Sequence, residues 1–235
     1  REISMKRMLR HADAGVFHTE TICERAEGFG CKNVKCVPYP CFLDLPPMES
    51  GGHRNDPPVL LALGGTRHDK GLDILLKALK NVKAPFQLVI AGKPEDFDED
   101  YIVSHTEKYR DKVRLCLRFL SDEEVKEFLV ESDIIVLPYR REFDGASGPM
   151  CEGIYLGKTI IGPSHGSLGS QLQSSHAGYT FESENVEQLA ACIEYALTHP
   201  CVYDETAYQM QKELSPELFA ERYLRIYREV VQKKG

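Results

Sequence analysis

The chain is 235 residues long, with 42% hydrophobic and 28% charged residues and a net charge of −7. That balance fits one large or two small globular domains and excludes a mainly disordered chain. Its acidity argues against a nucleic-acid partner, which requires a basic surface, and no apolar run approaches the roughly 20 residues needed to cross a bilayer.

The chain opens on Arg1-Glu-Ile-Ser-Met, which is mixed and charged, carries no signal-peptide pattern and has no initiating Met, so it reads as a fragment or a processed chain. Eight cysteines form no CxxC pair, and the spacing of Cys23, Cys31, Cys36 and Cys41 fits no zinc pattern. Buried thiols in a reducing cytoplasm are expected, with no metal.

In chain order, residues 2–11 read as a short basic helix, residues 13–19 as a buried strand followed by a helix to Gly28, and residues 34–38 as another strand. Residues 46–58 are rich in Pro, Gly and polar side chains and read as a linker. A regular alternation then begins. Val59-Leu-Leu-Ala-Leu63 is a continuous apolar run, as for a strand buried on both faces. Residues 71–82 carry Leu72, Leu75, Leu76 and Leu79 at helical spacing. Strands follow at 86–91, 113–117, 134–137, 159–161 and 178–181, with helices at 98–110, 121–131 (opened by the capping box Ser121-Asp-Glu-Glu124), 149–157 and 186–197, and two more at the C-terminus. Strand–helix alternation from 59 to 199 implies an α/β fold, a doubly wound parallel Rossmann-like sheet whose ligands lie at the carboxyl ends of the strands.

Two loops at those ends carry candidate chemistry. Gly64-Gly65-Thr66-Arg67-His68-Asp69-Lys70-Gly71 joins a strand to a helix. Its glycines let amides approach an anion, the helix start adds about half a positive charge, and Arg67 and Lys70 add whole charges. It is neither a P-loop nor a GxGxxG fingerprint, and a plain glycine turn with two solvated cations would look similar. The second loop, Asp144-Gly-Ala-Ser-Gly-Pro-Met-Cys-Glu152-Gly153, leads into a short helix. A carboxylate there could accept both hydrogens of a sugar diol, and Ser147, Gly148 and the free amides before the helix could bind sugar or phosphate oxygens. The alternative is acids that only complement a helix dipole or pair with a nearby base.

Leu63-Gly-Gly-Thr-Arg-His-Asp-Lys-Gly-Leu-Asp-Ile-Leu-Leu76, Leu88-Val-Ile-Ala-Gly92, Ser132-Asp-Ile-Ile-Val-Leu-Pro138 and Asp144-x7-Glu152-Gly with Gly157-Lys-Thr-Ile-Ile161 together resemble glycosyltransferase family four of the GT-B fold, over about residues 12–230. The resemblance implies that residues 1–47 are the remnant of an N-terminal acceptor domain, 48–58 a linker and 59–235 the donor-binding domain. It implies that Lys70 and Arg67 contact the donor diphosphate, that Glu152 binds the ribose hydroxyls, and that Asp144, where the family carries Glu, contacts the donor sugar.

The implied activity is that of a hexosyltransferase, a retaining one, moving a hexosyl group from a nucleoside diphosphate sugar to a glycan or lipid-linked acceptor. No cofactor beyond that substrate and no protein nucleophile is expected, and the isolated chain would be incomplete. A non-catalytic nucleotide-binding or interaction module and a sugar-nucleotide epimerase on the same fold are the alternatives. Arg1, Lys6, Arg7 and Arg10 suggest a peripheral contact with anionic lipid. The acidic residues 95–100 read as a solvated face, and His165 as an exposed loop residue.

Overall fold

The computed structural model describes residues 2–143 and 145–232. Two parallel sheets are present: a two-stranded one near the N-terminus and a six-stranded one formed by the rest of the chain. The first pairs β1 (Gly15–Phe17) with β2 (Val34–Cys36), Gly15 opposite Val34. Helices α1 (Glu2–His11) and α2 (Glu20–Gly28) flank it around Leu9, Ala26 and Cys31.

The second sheet contains β3 (Val59–Leu63), β4 (Gln87–Ala91), β5 (Val113–Cys116), β6 (Ile134–Val136), β7 (Thr159–Pro163) and β8 (Gly178–Phe181), in the order β5-β4-β3-β6-β7-β8. Alternate residues of the central strands β3, β4, β6 and β7 enter opposite cores, which is why those strands are largely apolar, whereas the outer β5 carries the exposed Arg114. Leu60, Leu88, Ile90, Ile134 and Ile161 face α3 (Leu72–Leu79), α4 (Glu99–Thr106) and α8 (Val186–Thr198). Leu61, Leu63, Val89, Ile135 and Ile160 face α5 (Asp122–Glu131), α6 (Gly148–Tyr155), α7 (Gly166–Ser175) and α9 (Glu205–Glu213). Helices therefore cover both faces, and the expected doubly wound sheet is what the chain forms.

Two elements differ from the sequence reading. The expected 98–110 helix is two pieces: α4 ends at Thr106 and a 3-10 turn covers Glu107–Lys112. Tyr109 interrupts it with φ −143° because its ring enters the core and its hydroxyl donates to the Leu76 carbonyl at 2.9 Å. Helix α7, sequence GSLGSQLQSS, lacks an apolar stripe and was not anticipated; Leu168 and Leu172 anchor it. Gly169 lets it lie directly on the strand exit, where a Cβ would meet the Ser164 carbonyl carbon and oxygen.

The linker stretch forms no helix or strand, yet it is fastened at the amino edge of the six-stranded sheet. Buried Asp133 accepts from the Arg54 amide (2.7 Å), Asn55 Nδ2 (2.8 Å) and the Val59 amide (2.8 Å). Beside it, Lys158 donates to the carbonyls of Val130 (2.8 Å) and Ser132 (2.6 Å), and burial, with help from Arg54, lowers its pKa to about 8. Gln211 of α9 ties the Met48 and Tyr155 carbonyls together, both at 2.8 Å. The last helix, α10 (Pro216–Gln232), lies against the first sheet's segment: Lys35 pairs with Glu229 at 3.1 Å, and Phe219 packs on His18 and Phe42. All eight cysteines are free.

Removing the Asp133 carboxylate strands the Arg54 and Val59 amides and leaves Asn55 only the Glu131 carbonyl, so Asp133→Ala is expected to lower stability by about 3 kcal/mol. Asp133→Asn, which keeps one acceptor oxygen, should lose less. Urea unfolding midpoints measure both; an unmoved midpoint would show that this strap contributes nothing.

Candidate functional site

Strands β3 and β6 are hydrogen-bonded neighbours, and the chain winds away from them in opposite directions on either side. Their carboxyl-end loops therefore face each other across the switch-point crevice. On the β3 side, Gly64 adopts φ +114°, and Gly92, φ +142°, lies so close to it that a Cβ would strike the Gly64 carbonyl. Thr66 is buried, donating its hydroxyl to the Phe97 carbonyl (2.6 Å) and accepting from the Glu95 amide (2.8 Å). A 3-10 turn, His68–Lys70, then ends at Gly71 with φ +64°, where a Cβ would meet the Pro138 carbonyl just beyond β6. The acidic residues of 95–100 are exposed, as expected, and two of them are also bonded: Asp96 accepts from the His68 amide (2.7 Å) and Asp98 caps α4.

Lys70 folds its ammonium over Gly64, 5.7 Å from the centre of the Tyr139 ring. Burial, and then the Arg67 charge, lower its pKa, and among the described residues no carboxylate lies within salt-bridge distance of it. Arg67, by contrast, is already occupied. Its Nε and Nη2 reach the two oxygens of Asp69 at 2.9 and 2.6 Å, so this pair must open before Arg67 can face a ligand.

On the β6 side, Tyr139 is buried, which pushes its hydroxyl pKa up to about 12, and that hydroxyl lies 3.5 Å from Ser147 Oγ. Ser147 caps α6, accepting from the Met150 amide at 3.4 Å, with Gly148 as the first helical residue. The Glu152 carboxylate turns back towards that helix start; a Cβ on Gly148 would lie 3.7 Å from its Oε1. Burial, then the charge of Asp122, raise the Glu152 pKa to about 7. Among the described residues nothing hydrogen-bonds to this carboxylate. Asp144 lies outside the described residues.

Lys70 thus lies near Tyr139, whose hydroxyl is close to Ser147, the cap of the helix that carries Glu152, and a small crevice lined by Gly64, Gly65, Thr66, Lys70, Pro138 and Tyr139 opens beside Lys70. A larger cavity of about 740 Å³ lies beside α7, lined by Thr19, Glu20, Ser167, Ser170 and Gln171. No group of three His, Cys, Asp or Glu side chains suited to a metal occurs among the described residues.

Sequence reasoning overlooked Tyr139, Arg140 and Asp73. Arg140 reads as one of two loop cations and Asp73 as a first-turn acid, yet the two pair at 2.9 Å, 67 positions apart. His165 is half-buried rather than exposed, and its Nδ1 has no hydrogen-bond partner among the described residues.

Residues 48–214 match the family described as Glycosyl transferases group 1. A glycosyltransferase of Methanocaldococcus jannaschii, itself uncharacterised, is 29% identical over 129 residues, which are 55% of this chain and 35% of that protein. Among solved structures, sucrose-phosphate synthase from Thermosynechococcus elongatus superposes with a TM-score of 0.78 at 17% identity, covering 99% of this chain and 62% of that one. Anabaena HepE, in complex with UDP and glucose, superposes with a TM-score of 0.73 at 11% identity, covering 97% and 68%. The chain thus spans about a third of the first relative and less than two thirds of the second.

A carboxyl whose pKa is raised by folding destabilises the native state once ionised, because the unfolded chain ionises it more easily. Glu152→Gln is therefore expected to raise stability at pH 8 by on the order of 2 kcal/mol and to leave it unchanged at pH 4, where both states are protonated. Thermal unfolding at the two pH values tests this; equal shifts at both would mean that ionisation of Glu152 carries no penalty.

Proposed function

The chain belongs to the Glycosyl transferases group 1 family, and on that premise we propose that it forms the donor site of a hexosyltransferase that uses a nucleoside diphosphate sugar. The observation that carries this reading is that, among the described residues, an ammonium with no carboxylate in salt-bridge distance and a carboxylate with no hydrogen-bond partner sit on the segments that follow the neighbouring strands β3 and β6.

Lys70 and the amides at the start of α3 meet the diphosphate, while Glu152 accepts both hydrogens of the ribose diol. Ser147 and Gly148 offer a hydroxyl and a helix-start amide to sugar or phosphate oxygens. Gly64 and Gly65 allow the diphosphate to approach the backbone, Arg67 joins once released from Asp69, and Asp144 orients the hexose. In the transfer, the bond from the anomeric carbon to the diphosphate oxygen breaks and a bond to an acceptor hydroxyl forms, with retention, while the hydroxyl proton leaves with the diphosphate. Negative charge gathers on the diphosphate as that bond lengthens, and Lys70, half-buried and prearranged, stabilises it. No other cofactor is required.

The acceptor is a glycan or a lipid-linked sugar, bound partly by chain beyond the donor site. Because this chain spans only part of its relatives, the donor site rather than the whole reaction is assigned to it. Residues 1–47 belong on this reading to the acceptor side, 48–58 to a linker and 59–235 to the donor domain. No helix among the described residues is long and apolar enough to cross a membrane. A peripheral contact on the cytoplasmic side through α1 is part of the proposal, although Lys6 already sits over the Phe29 ring and Arg10 beside Gly30.

Calorimetry with uridine and guanosine diphosphate tests the site, with weak binding of one of them expected; no heat with either would remove the donor reading. Lys70→Ala should lose about 1–3 kcal/mol of that affinity, and an unchanged dissociation constant would remove Lys70 from the site. A diol binds the ionised form of Glu152, so affinity should rise as pH climbs through about 7. Glu152→Gln should leave only the slope that the nucleotide's own phosphate contributes; a variant with the wild-type slope would dissociate Glu152 from the ribose.

A further inference from the structure

We propose that Arg140 is a positioning residue of the donor site, setting the distance between the loop that presents Lys70 and the loop that leads to Ser147 and Glu152. This rests on the donor-site reading above.

Arg140 lies just beyond β6 and is 8% exposed. Its backbone amide donates to the Asp69 carbonyl at 2.9 Å and its Nη1 to the His68 carbonyl at 2.5 Å. Its Nη2 reaches both oxygens of Asp73, in the first turn of α3, at 2.9 and 3.0 Å. Its Nε lies 3.5 Å from Glu184 in the turn after β8, and in that same turn Ser183 donates to the Tyr139 carbonyl at 2.8 Å. One side chain thus joins three carboxyl-edge loops.

The residues around Lys70 are those that Arg140 and its neighbour hold. His68 and Asp69 are bonded to Arg140, Gly71 abuts the Pro138 carbonyl, and Asp73 is paired on both sides, to Arg140 and to Lys77 at 3.1 Å. The Lys70 ammonium projects from the middle of this clamped stretch towards Tyr139. Asp73 and Glu184 together offset the charge of Arg140, so Arg140 acts through placement rather than through its own field on a phosphate. A buried ion pair is weak evidence of stability, because apolar replacements often serve as well. A planar fork that reaches a carboxylate and a carbonyl at once fixes geometry in a way an apolar side chain cannot.

The test is a set of binding measurements on the whole chain with uridine and guanosine diphosphate, well below the unfolding temperature. Arg140→Met and Asp73→Asn are each expected to weaken binding about tenfold, given that a shift of about 1 Å at a site can cost as much as 10²-fold. In the Arg140→Met background, Lys70→Ala should cost at most about a further twofold, against about tenfold in the wild-type chain, because contacts that act as a unit are not additive. A purely structural role would lower the unfolding temperature while leaving the affinity of the folded protein and the full effect of Lys70→Ala intact, and that result overturns the proposal. Should Arg140→Met fail to fold, Asp73→Asn and Arg140→Lys decide by the same two criteria. Wild-type protein that binds neither nucleotide overturns the donor reading and this proposal with it. Wild-type binding matched by the variants overturns this proposal alone.

Discussion

Strands β3 and β6 are more than 70 residues apart in sequence, yet they are paired in parallel, Leu60 opposite Ile134 and Leu61 opposite Ile135. Parallel strands place all their carboxyl ends on one edge. The chain completes β4 and β5 on one side of β3 before returning to lay β6 on the other. That reversal leaves a crevice at the carboxyl edge, lined by Gly64, Gly65, Thr66, Lys70, Pro138 and Tyr139. Gly71 against the Pro138 carbonyl and Gly92 against the Gly64 carbonyl show how closely the loops pack at its base. Side chains at those two positions would force the edges apart.

The two edges of the six-stranded sheet are built differently. At the amino edge polar groups are satisfied: Asp133 accepts three hydrogen bonds, Lys158 donates two, and Gln211 bridges two carbonyls. At the carboxyl edge, among the described residues, Lys70 has an aromatic ring nearby and no carboxylate within salt-bridge distance, and Glu152 has no hydrogen-bond partner, while Arg67 is paired with Asp69. On the proposed donor-site reading, a diphosphate and a diol would supply the partners that Lys70 and Glu152 lack. The chain's membership of the Glycosyl transferases group 1 family is the premise of that reading.

Most elements were legible in the sequence, since burial imposes a local period on each. The apolar runs of β3, β4 and β6 and the leucine stripe of α3 follow from packing on one or both faces. The capping box at Ser121 was visible because its two hydrogen bonds join residues three apart. Helix α7 was not visible: it is short and polar and uses a glycine for close approach, so it carries no stripe to detect. The break at Tyr109 escaped for a related reason, because its cause is the Leu76 carbonyl, 33 residues away.

The candidate site divides along the same line. The sequence by itself determined the alternation of strands and helices, hence a sheet with a functional edge, and it marked Lys70 in the loop after β3 and Glu152 in the helix that follows β6. Only the tertiary structure decided that those two segments are neighbours and that Arg140 holds His68, Asp69 and Asp73 in place. The reason is range. Side-chain periodicity and capping act over three or four residues and leave a trace in the sequence, whereas strand order and cross-loop ion pairs join residues about 70 positions apart, whose partnership no local pattern records.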